Sequence, residues 1–206
     1  MSGPTVLCVL RSGGDFLPEH VEHLYQAVRH HAAGHVRFVV LSDVPLYAKV
    51  EQHPLRTDWP RWWAKMELFD PVHQQFGDLL YLDLDTVIVG DLADVLKVRA
   101  LTVLTDFQKP NRIGSGLMFI PAEERPMIWS AFTRDPARAM RTSPRGDQQF
   151  LEACGWQTAE RWQDLRPHQV ISYKQHVQRR RRIPKDARVI CFHGQPRPWA
   201  TALWKK

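Results

Sequence analysis

Short blocks of apolar and β-branched residues recur along the chain and predict buried strands. Each block is followed by glycine, proline or charged residues, which end a strand. The blocks cover residues 5–10, 35–43, 77–92 (a strand with its loop), 100–107, 114–121 and 189–192. No internal repeat and no linker interrupts the pattern, so one domain over residues 1–206 is expected.

A second pattern, with apolar residues three or four positions apart, predicts helices between these blocks. Residues 17–31 show it best, with Pro18 near the start of the helix. The other predicted helices cover residues 59–70, 122–135 and 146–155. The first strand, helix and strand form a βαβ unit, which is typical of a parallel sheet. The expected fold class is therefore α/β, with a mainly parallel sheet flanked by helices.

Composition narrows the class of protein. The 206 residues suffice for one sizeable core, and eight Trp residues indicate ring-lined surfaces in that core or at a ligand. A net charge of +6 favours anionic partners such as phosphates, nucleic acid or acidic lipid. Cys8, Cys154 and Cys191 are scattered without CxxC spacing, as in a reducing compartment. With neither a signal peptide nor an apolar run near the ~20 residues of a membrane span, a cytoplasmic protein is expected.

The stretch "YLDLDTVIVGDL" places Asp83 and Asp85 at the end of an apolar strand. Residues two apart on a strand point to the same face, so the two carboxylates would repel each other and lose hydration. A divalent cation would make this arrangement favourable, and Mg²⁺ or Mn²⁺ prefers such oxygen ligands. His193, in "CFHGQPRPW", is a further candidate ligand, whereas a solvated turn is the simpler interpretation of the Asp-x-Asp alone.

Polar segments follow four of the predicted strands. They are "RSGGD", "DLDT", "TDF" and "HGQPRPW". Ligands of open α/β sheets bind beyond the carboxyl ends of the strands. The four segments are therefore expected to converge at one edge of the sheet, where Arg197 could pair with phosphate.

At these residues the sequence resembles GT-A-fold glycosyltransferases, most closely those of family 8. Six segments between residues 5 and 199 come in that family's order, and "YLDLDTVIVGDL" and "FHGQPRPW" are the specific ones. The others are "VLRSGGDF", "WWAKMELF", "GSGLMFI" and "GDQQFL". Two departures stand out. Arg197 replaces the usual lysine in a shorter final loop, and Ser115 stands where asparagine is common.

The resemblance implies a single GT-A domain, close to a minimal catalytic core, that transfers a hexose from a nucleoside-diphosphate sugar to a hydroxyl with retention. UDP-glucose and UDP-galactose are the first candidate donors, with Mn²⁺ or Mg²⁺ as the cofactor. The implied metal ligands are Asp83, Asp85 and His193. The implied donor-binding residues are Arg11, Ser12, Asp15, Lys65, Asp83, Ser115, Gly194 and Arg197, and the implied catalytic residues are Asp147, Gln148 and Lys65. For Asp147, a helix N-cap after Gly146 is the alternative role.

The acceptor and two other function classes stay open. The run Arg179, Arg180, Arg181 and Arg182 is either a solvated loop or a surface for nucleic acid. A DNA base bearing a hydroxyl is thus one candidate acceptor, and a saccharide or lipid-linked glycan is the other. A pure nucleic-acid-binding module would leave "DLDT" and "FHGQPRPW" unexplained. A metal-dependent nucleotidyltransferase would also use paired aspartates.

Overall fold

A computed structural model describes residues 3–46 and 49–205 of the chain. Its strands are β1 Thr5–Leu10, β2 Phe38–Ser42, β3 Glu51–Pro54, β4 Leu79–Leu82, β5 Thr86–Ile88, β6 Thr102–Thr105, β7 Ile113–Ile120, β8 Glu160–Arg161, β9 Val170–Ser172 and β10 Val189–Cys191. Its α-helices are α1 Pro18–His31, α2 Ala93–Leu96, α3 Arg125–Thr133, α4 Pro136–Thr142, α5 Asp147–Ala153 and α6 Trp162–Leu165. The 3₁₀ stretches include Arg61–Phe69, Pro71–Phe76 and Pro198–Ala200, and Tyr173–Gln178 is a π-helical turn.

Seven strands form a central sheet in the order β3-β2-β1-β4-β7-β6-β8. Strand β7 runs antiparallel to β4 and β6, and the other neighbouring pairs are parallel. The predicted α/β class with a mainly parallel sheet is confirmed. Because β7 runs the opposite way, its first residues lie at the same edge as the carboxyl ends of β1, β4 and β6.

Both faces of the central sheet are buried, as expected for parallel strands. On one face Val6 and Leu80 pack with α1 and with a small second sheet of β5, β10 and β9. On the other face Leu7 and Tyr81 pack with the 3₁₀ stretch Arg61–Phe69 and with α3 and α5. Full burial of one such leucine stabilises the fold by about 2 kcal/mol, so packing on both faces stabilises the sheet.

The prediction of one strand and its loop over residues 77–92 was only partly right. Strand β4 ends at Leu82, and a turn follows in which the Thr86 amide donates to the Asp83 carbonyl at 3.0 Å. The β-branched residues 86–88 then form β5, which pairs antiparallel with β10 in the second sheet. Asp83 and Asp85 therefore lie in a turn that connects the two sheets. This turn, and not the alternation of side chains along a strand, brings the two carboxylates to the same side of the molecule.

The other differences are in hydrogen-bonding pattern and in short elements. The predicted helix over residues 59–70 is a 3₁₀ helix over Arg61–Phe69. Strand β3 was not predicted because its sequence, EQHP, is polar and half exposed at the edge of the sheet. Strand β8 has two residues and β9 has three, too few for a periodic signal.

No helix in the described part of the chain has the length and apolar character needed to cross a membrane. The thiols of Cys8, Cys154 and Cys191 are all free in the structure.

Candidate functional site

A cavity of about 1130 Å³ lies at the carboxyl ends of β1, β4 and β6. All four polar segments singled out from the sequence contribute to its lining, together with the first residues of β7. The predicted convergence at one edge of the sheet is confirmed. Further lining comes from residues 58–62, around the start of the 3₁₀ stretch Arg61–Phe69, and from residues 145–148, around the start of α5.

The turn after β4 presents Asp83 and Asp85 to this cavity. Asp83 is fixed twice, because its amide donates to the Gly116 carbonyl at 2.9 Å and its carboxylate accepts from the Tyr81 hydroxyl at 2.6 Å. A Cβ atom at Gly116 would lie 3.1 Å from the Asp83 carboxylate, so a glycine in the first half of β7 makes room for that carboxylate. Burial, followed by repulsion from Asp83, raises the pKa of Asp85 well above its usual value.

Lys65 links the carboxylate turn to helix α5. Its Nζ lies 2.9 Å from Asp83 Oδ1, 3.6 Å from Asp147 Oδ2 and 3.3 Å from Ser115 Oγ. Burial acts to lower the pKa of Lys65, but the charges of Asp147 and Asp83 outweigh it and raise that pKa. Lys65 is therefore a permanent cation at the bottom of the cavity.

Arg197 brings the C-terminal loop into the same site. Its guanidinium lies 2.5 Å from Asp85 Oδ2 and 3.0 Å from Asp15 Oδ2, and it sits over the Phe16 ring at 5.2 Å. Two residues on, Trp199 stacks on the His20 ring of α1 at 3.9 Å. The loop is therefore held on α1 and delivers a second cation to the aspartate pair.

His193 lines the cavity but is engaged elsewhere. Its Nε2 is 2.8 Å from Ser172 Oγ, and its ring stacks on Phe107. Among the residues that the structure describes, no three His, Cys, Asp or Glu side chains lie close enough to hold one metal ion. The expected convergence of Asp83, Asp85 and His193 on one ion is therefore not seen in this arrangement. Arg197 and Lys65 balance the aspartate charges instead.

The first glycine loop, after β1, lines the cavity from Arg11 to Phe16. Arg11 donates to the Thr57 carbonyl at 2.8 Å and lies 3.5 Å from Asp43, which also accepts from the amide and hydroxyl of Ser12. Sequence reasoning missed Asp43. It follows strand β2 directly, so the rule that polar residues after strands converge could have found it.

A second missed residue is Glu67, which is fully buried. Its carboxylate accepts from the amides of Arg56 and Thr57, each at 2.8 Å, and from the Thr57 hydroxyl at 2.5 Å. Glu67 thereby fixes the segment whose carbonyl holds Arg11. No sequence signal separates this glutamate from an exposed one on a helix.

Asp147 is the first residue of α5, and Gly146 occupies the N-cap position. The Asp147 side chain makes no capping bond, and its buried Oδ2 has no hydrogen-bond partner in the described part of the chain. The alternative role as a helix N-cap is therefore wrong. Its carboxylate turns towards Lys65 instead, and Gln148 lines the cavity beside it.

The remaining sequence-predicted residues separate into two groups. Ser115 and Gly194 line the cavity with the residues above. The four arginines of the basic run, Arg179–Arg182, are exposed and do not line it. They follow the π-helical turn Tyr173–Gln178, whose Lys174 does line the cavity.

Three solved structures share this fold over nearly the whole chain. The glycosyltransferase GlyE of Streptococcus pneumoniae TIGR4 matches 95% of the chain with a TM-score of 0.72 at 15% identity. The galactosyltransferase LgtC, solved with donor and acceptor sugar analogues, matches 95% with a TM-score of 0.64 at 11% identity. The bifunctional glycosyltransferase WbbM matches 96% with a TM-score of 0.65 at 13% identity.

These likenesses confirm the GT-A fold. The matched parts amount to 56% of GlyE, 89% of LgtC and 47% of WbbM, so the chain spans about half the length of two of these proteins. No protein-family model matches the chain, and no curated protein matches it significantly. Assignment to family 8 stays a prediction from the motifs.

Proposed function

We propose that the protein is a glycosyltransferase that moves a hexose from a nucleoside-diphosphate sugar to a hydroxyl acceptor. The observation that carries the proposal is the arrangement of Asp83 and Asp85 against Lys65 and Arg197 in one cavity at the carboxyl edge of the sheet. Two cations beside a polar cleft suit a ligand that carries a diphosphate. The glycosyltransferase fold of the similar structures supports this assignment.

The chemistry follows from charge. Cleavage of the bond between the anomeric carbon and the diphosphate builds negative charge on phosphate oxygen while the sugar becomes cationic. Arg197 and Lys65 are the groups proposed to stabilise the leaving diphosphate. The loop Arg11–Asp15 is proposed to hold the base and ribose, since Asp43 and Thr57 fix its first two side chains.

Asp147 and Gln148 are proposed to face the donor sugar near the anomeric carbon. An Asp147 carboxylate oxygen that is buried without a hydrogen-bond partner in the described residues has capacity to accept from sugar hydroxyls. Retention is carried over from the resemblance. It requires attack from the face that the diphosphate leaves, with the hydroxyl proton passing to phosphate, or a covalent intermediate on a carboxylate such as Asp147.

Manganese or magnesium dependence is also carried over from the resemblance. The two aspartates have the oxygen ligands that such an ion prefers. The three-ligand set with His193 does not fit the described geometry, so no step above depends on the metal.

The test is a donor panel of UDP-, GDP- and ADP-sugars, with and without Mn²⁺, in which release of nucleoside diphosphate is measured. One donor should be turned over in preference to the others. Asp85→Asn should lose at least about 100-fold in rate, because an aspartate that positions Arg197 acts at the leaving group. Its melting temperature should be unchanged or higher, because burial makes the ionised Asp85 costly.

Release of pyrophosphate with transfer of the nucleotide would identify a nucleotidyltransferase and overturn the proposal. Full activity of the Asp85→Asn variant would remove this cavity as the site. Asp94→Asn, at an exposed aspartate of α2 outside the cavity lining, is the matched control.

DNA as the acceptor remains a candidate that rests on the exposed arginines Arg179–Arg182. Each phosphate contact would add about one unit of slope to a log–log plot of affinity against salt concentration. Filter binding of duplex and single-stranded DNA at two salt concentrations tests it, with wild type compared with the quadruple alanine variant. Equal, salt-insensitive binding by both proteins would leave a saccharide or lipid-linked glycan as the acceptor.

A further inference from the structure

Trp62 is an exposed aromatic residue on the wall of the cavity. It keeps 42% of its surface accessible, whereas its neighbour Trp63 keeps 6% and the buried Trp156 keeps 2%. Leu17, Trp62, Val72 and Met127 are large apolar side chains that are exposed in the described part of the chain, and of these four Trp62 lines the cavity. An aromatic ring left open inside a polar cleft marks a place where a ligand makes apolar contact.

The backbone places this ring beside the reacting groups. Trp62 and Lys65 are three residues apart in the 3₁₀ stretch Arg61–Phe69, and residues at that spacing lie on the same side of a 3₁₀ helix. Lys65 contacts Asp147 at the bottom of the cavity. Trp62 therefore lies on the same side of the stretch as Lys65, and it is the more exposed of the two, at 42% against 13% for the Lys65 side chain.

The ring is held in position by Gly146. A Cβ atom at residue 146 would clash with the Trp62 indole, so the ring rests directly on the backbone that starts α5. Gly146 has a φ of +89°, which disfavours other residues at this position. A flat surface that is fixed before binding loses little entropy when a ligand stacks on it.

The charge of the cavity indicates what kind of ring would stack there. Six aspartates and six lysine or arginine side chains line it, so their formal charges cancel. A bound nucleoside diphosphate would add negative charge. A second ligand that enters beside the donor is therefore favoured when it is neutral, and repelled when it carries phosphates.

We propose that Trp62 recognises the acceptor, and that its indole face stacks on the apolar face of a pyranose ring in a neutral saccharide. The inference rests on the proposed function and selects the saccharide among the acceptors considered above. Gln148 and Asp58, which share the cavity wall with Trp62, offer polar groups for the hydroxyls at the edge of the sugar ring.

The experiment is saturation-transfer NMR on the full chain with UDP present. The probes are methyl β-D-glucopyranoside, methyl β-D-galactopyranoside and a dT oligonucleotide, and each is titrated to obtain an affinity. Wild type should transfer saturation to the protons on one face of a pyranoside. Trp62→Ala should weaken that binding roughly tenfold, whereas Trp62→Phe should keep most of it.

Two further measurements separate this inference from the proposed function. UDP affinity, measured by calorimetry, should be the same in wild type and in both Trp62 variants. Val72→Ala, at an exposed apolar residue outside the cavity lining, should leave the affinities for pyranoside and for UDP unchanged.

Failure of wild type to bind UDP or any other nucleoside diphosphate would remove the proposed function, and the acceptor role of Trp62 with it. UDP binding with pyranoside affinity unaffected by Trp62→Ala, or with no pyranoside signal in wild type, would overturn the role of Trp62 alone. A saturation-transfer signal from the oligonucleotide that depends on Trp62 would show that Trp62 stacks on a nucleobase and would overturn the saccharide as its ligand.

Discussion

Lys65 lies between two carboxylates that are 64 positions apart in the sequence, Asp83 and Asp147. Asp147 is 3% exposed, whereas the side chains of Lys65 and Asp83 keep 13% and 28% of their surface accessible. A buried carboxylate is stable as an anion only when a cation or hydrogen-bond donors surround it. Lys65 therefore has a structural role as well as the proposed one at the leaving group.

The Lys65→Met substitution should lower the free energy of unfolding by about 3 kcal/mol, because it leaves the buried Asp147 carboxylate without its cation. Denaturant unfolding followed by circular dichroism measures this loss. Adding Asp147→Asn should recover part of it by removing the unpaired charge. Lys97→Met, at an exposed lysine, is the control and should change stability by less than about 0.5 kcal/mol. Equal stability of wild type and Lys65→Met would contradict the structural role.

At the scale of elements, the 3₁₀ stretch Arg61–Phe69 organises two regions of the site at once. One side carries Trp62 and Lys65 to the cavity. Glu67 is buried instead, and holds the segment of Arg56 and Thr57 beneath the first glycine loop. The position of Arg11 therefore depends on an element that follows it by 50 residues in the sequence.

Glu67→Gln should weaken nucleotide binding indirectly, through the Thr57 carbonyl that holds Arg11. Three donors converge on the two Glu67 oxygens, and an amide would turn its own N–H group towards one of them. We expect about 1–3 kcal/mol lower stability and a roughly fivefold higher Kd for UDP. Calorimetry and thermal melts measure the two effects.

Glu123→Gln is the matched control, since it makes the same change at an exposed position. A Glu67→Gln variant that loses stability but binds UDP as tightly as wild type would show that Thr57 does not position Arg11.

At the scale of the whole molecule, burial of histidines couples stability to pH. Desolvation lowers the pKa of six histidines, namely His20, His23, His31, His73, His176 and His193. The unfolded chain thus binds protons at these residues at a higher pH than the folded chain does. Asp85, with its raised pKa, acts in the opposite sense.

The stability that comes from neutral histidines is present above their unfolded pKa of about 6.5 and is lost as pH falls towards the lowered folded values. In the Asp85→Asn variant, which removes the opposing contribution, the free energy of unfolding should therefore decrease steadily as pH drops from about 7.5 to about 5.5. Urea unfolding at several pH values measures this slope. A flat profile over that range would contradict the expectation.

His73 provides a variant for the same measurement. It is buried and stacked on Phe76, and neither ring nitrogen has a hydrogen-bond partner in the described residues. His73→Phe should raise stability by about 1 kcal/mol and make the pH profile less steep. His30→Phe, at an exposed histidine of α1, should leave the slope nearly unchanged.

The sequence alone determined the α/β class, the position of most core strands and the edge at which polar residues gather. These follow from local patterns, because a buried strand needs a run of apolar residues and a polar segment after it must leave the core. Arg11, Lys65, Asp83, Asp85, Asp147 and Arg197 all line one cavity, and the placement of Lys65 and Asp147 there was implied by the resemblance to GT-A glycosyltransferases.

Only the tertiary structure decided how these residues pair. Arg197 meets Asp85 across 112 positions, Lys65 meets Asp147 across 82, and His193 turns to Ser172 and not to the aspartates. Such contacts depend on how two sheets and a 3₁₀ stretch pack together, and no local pattern encodes that geometry. The same holds for Glu67 and Trp62, whose burial and exposure arise from neighbours far away in the chain.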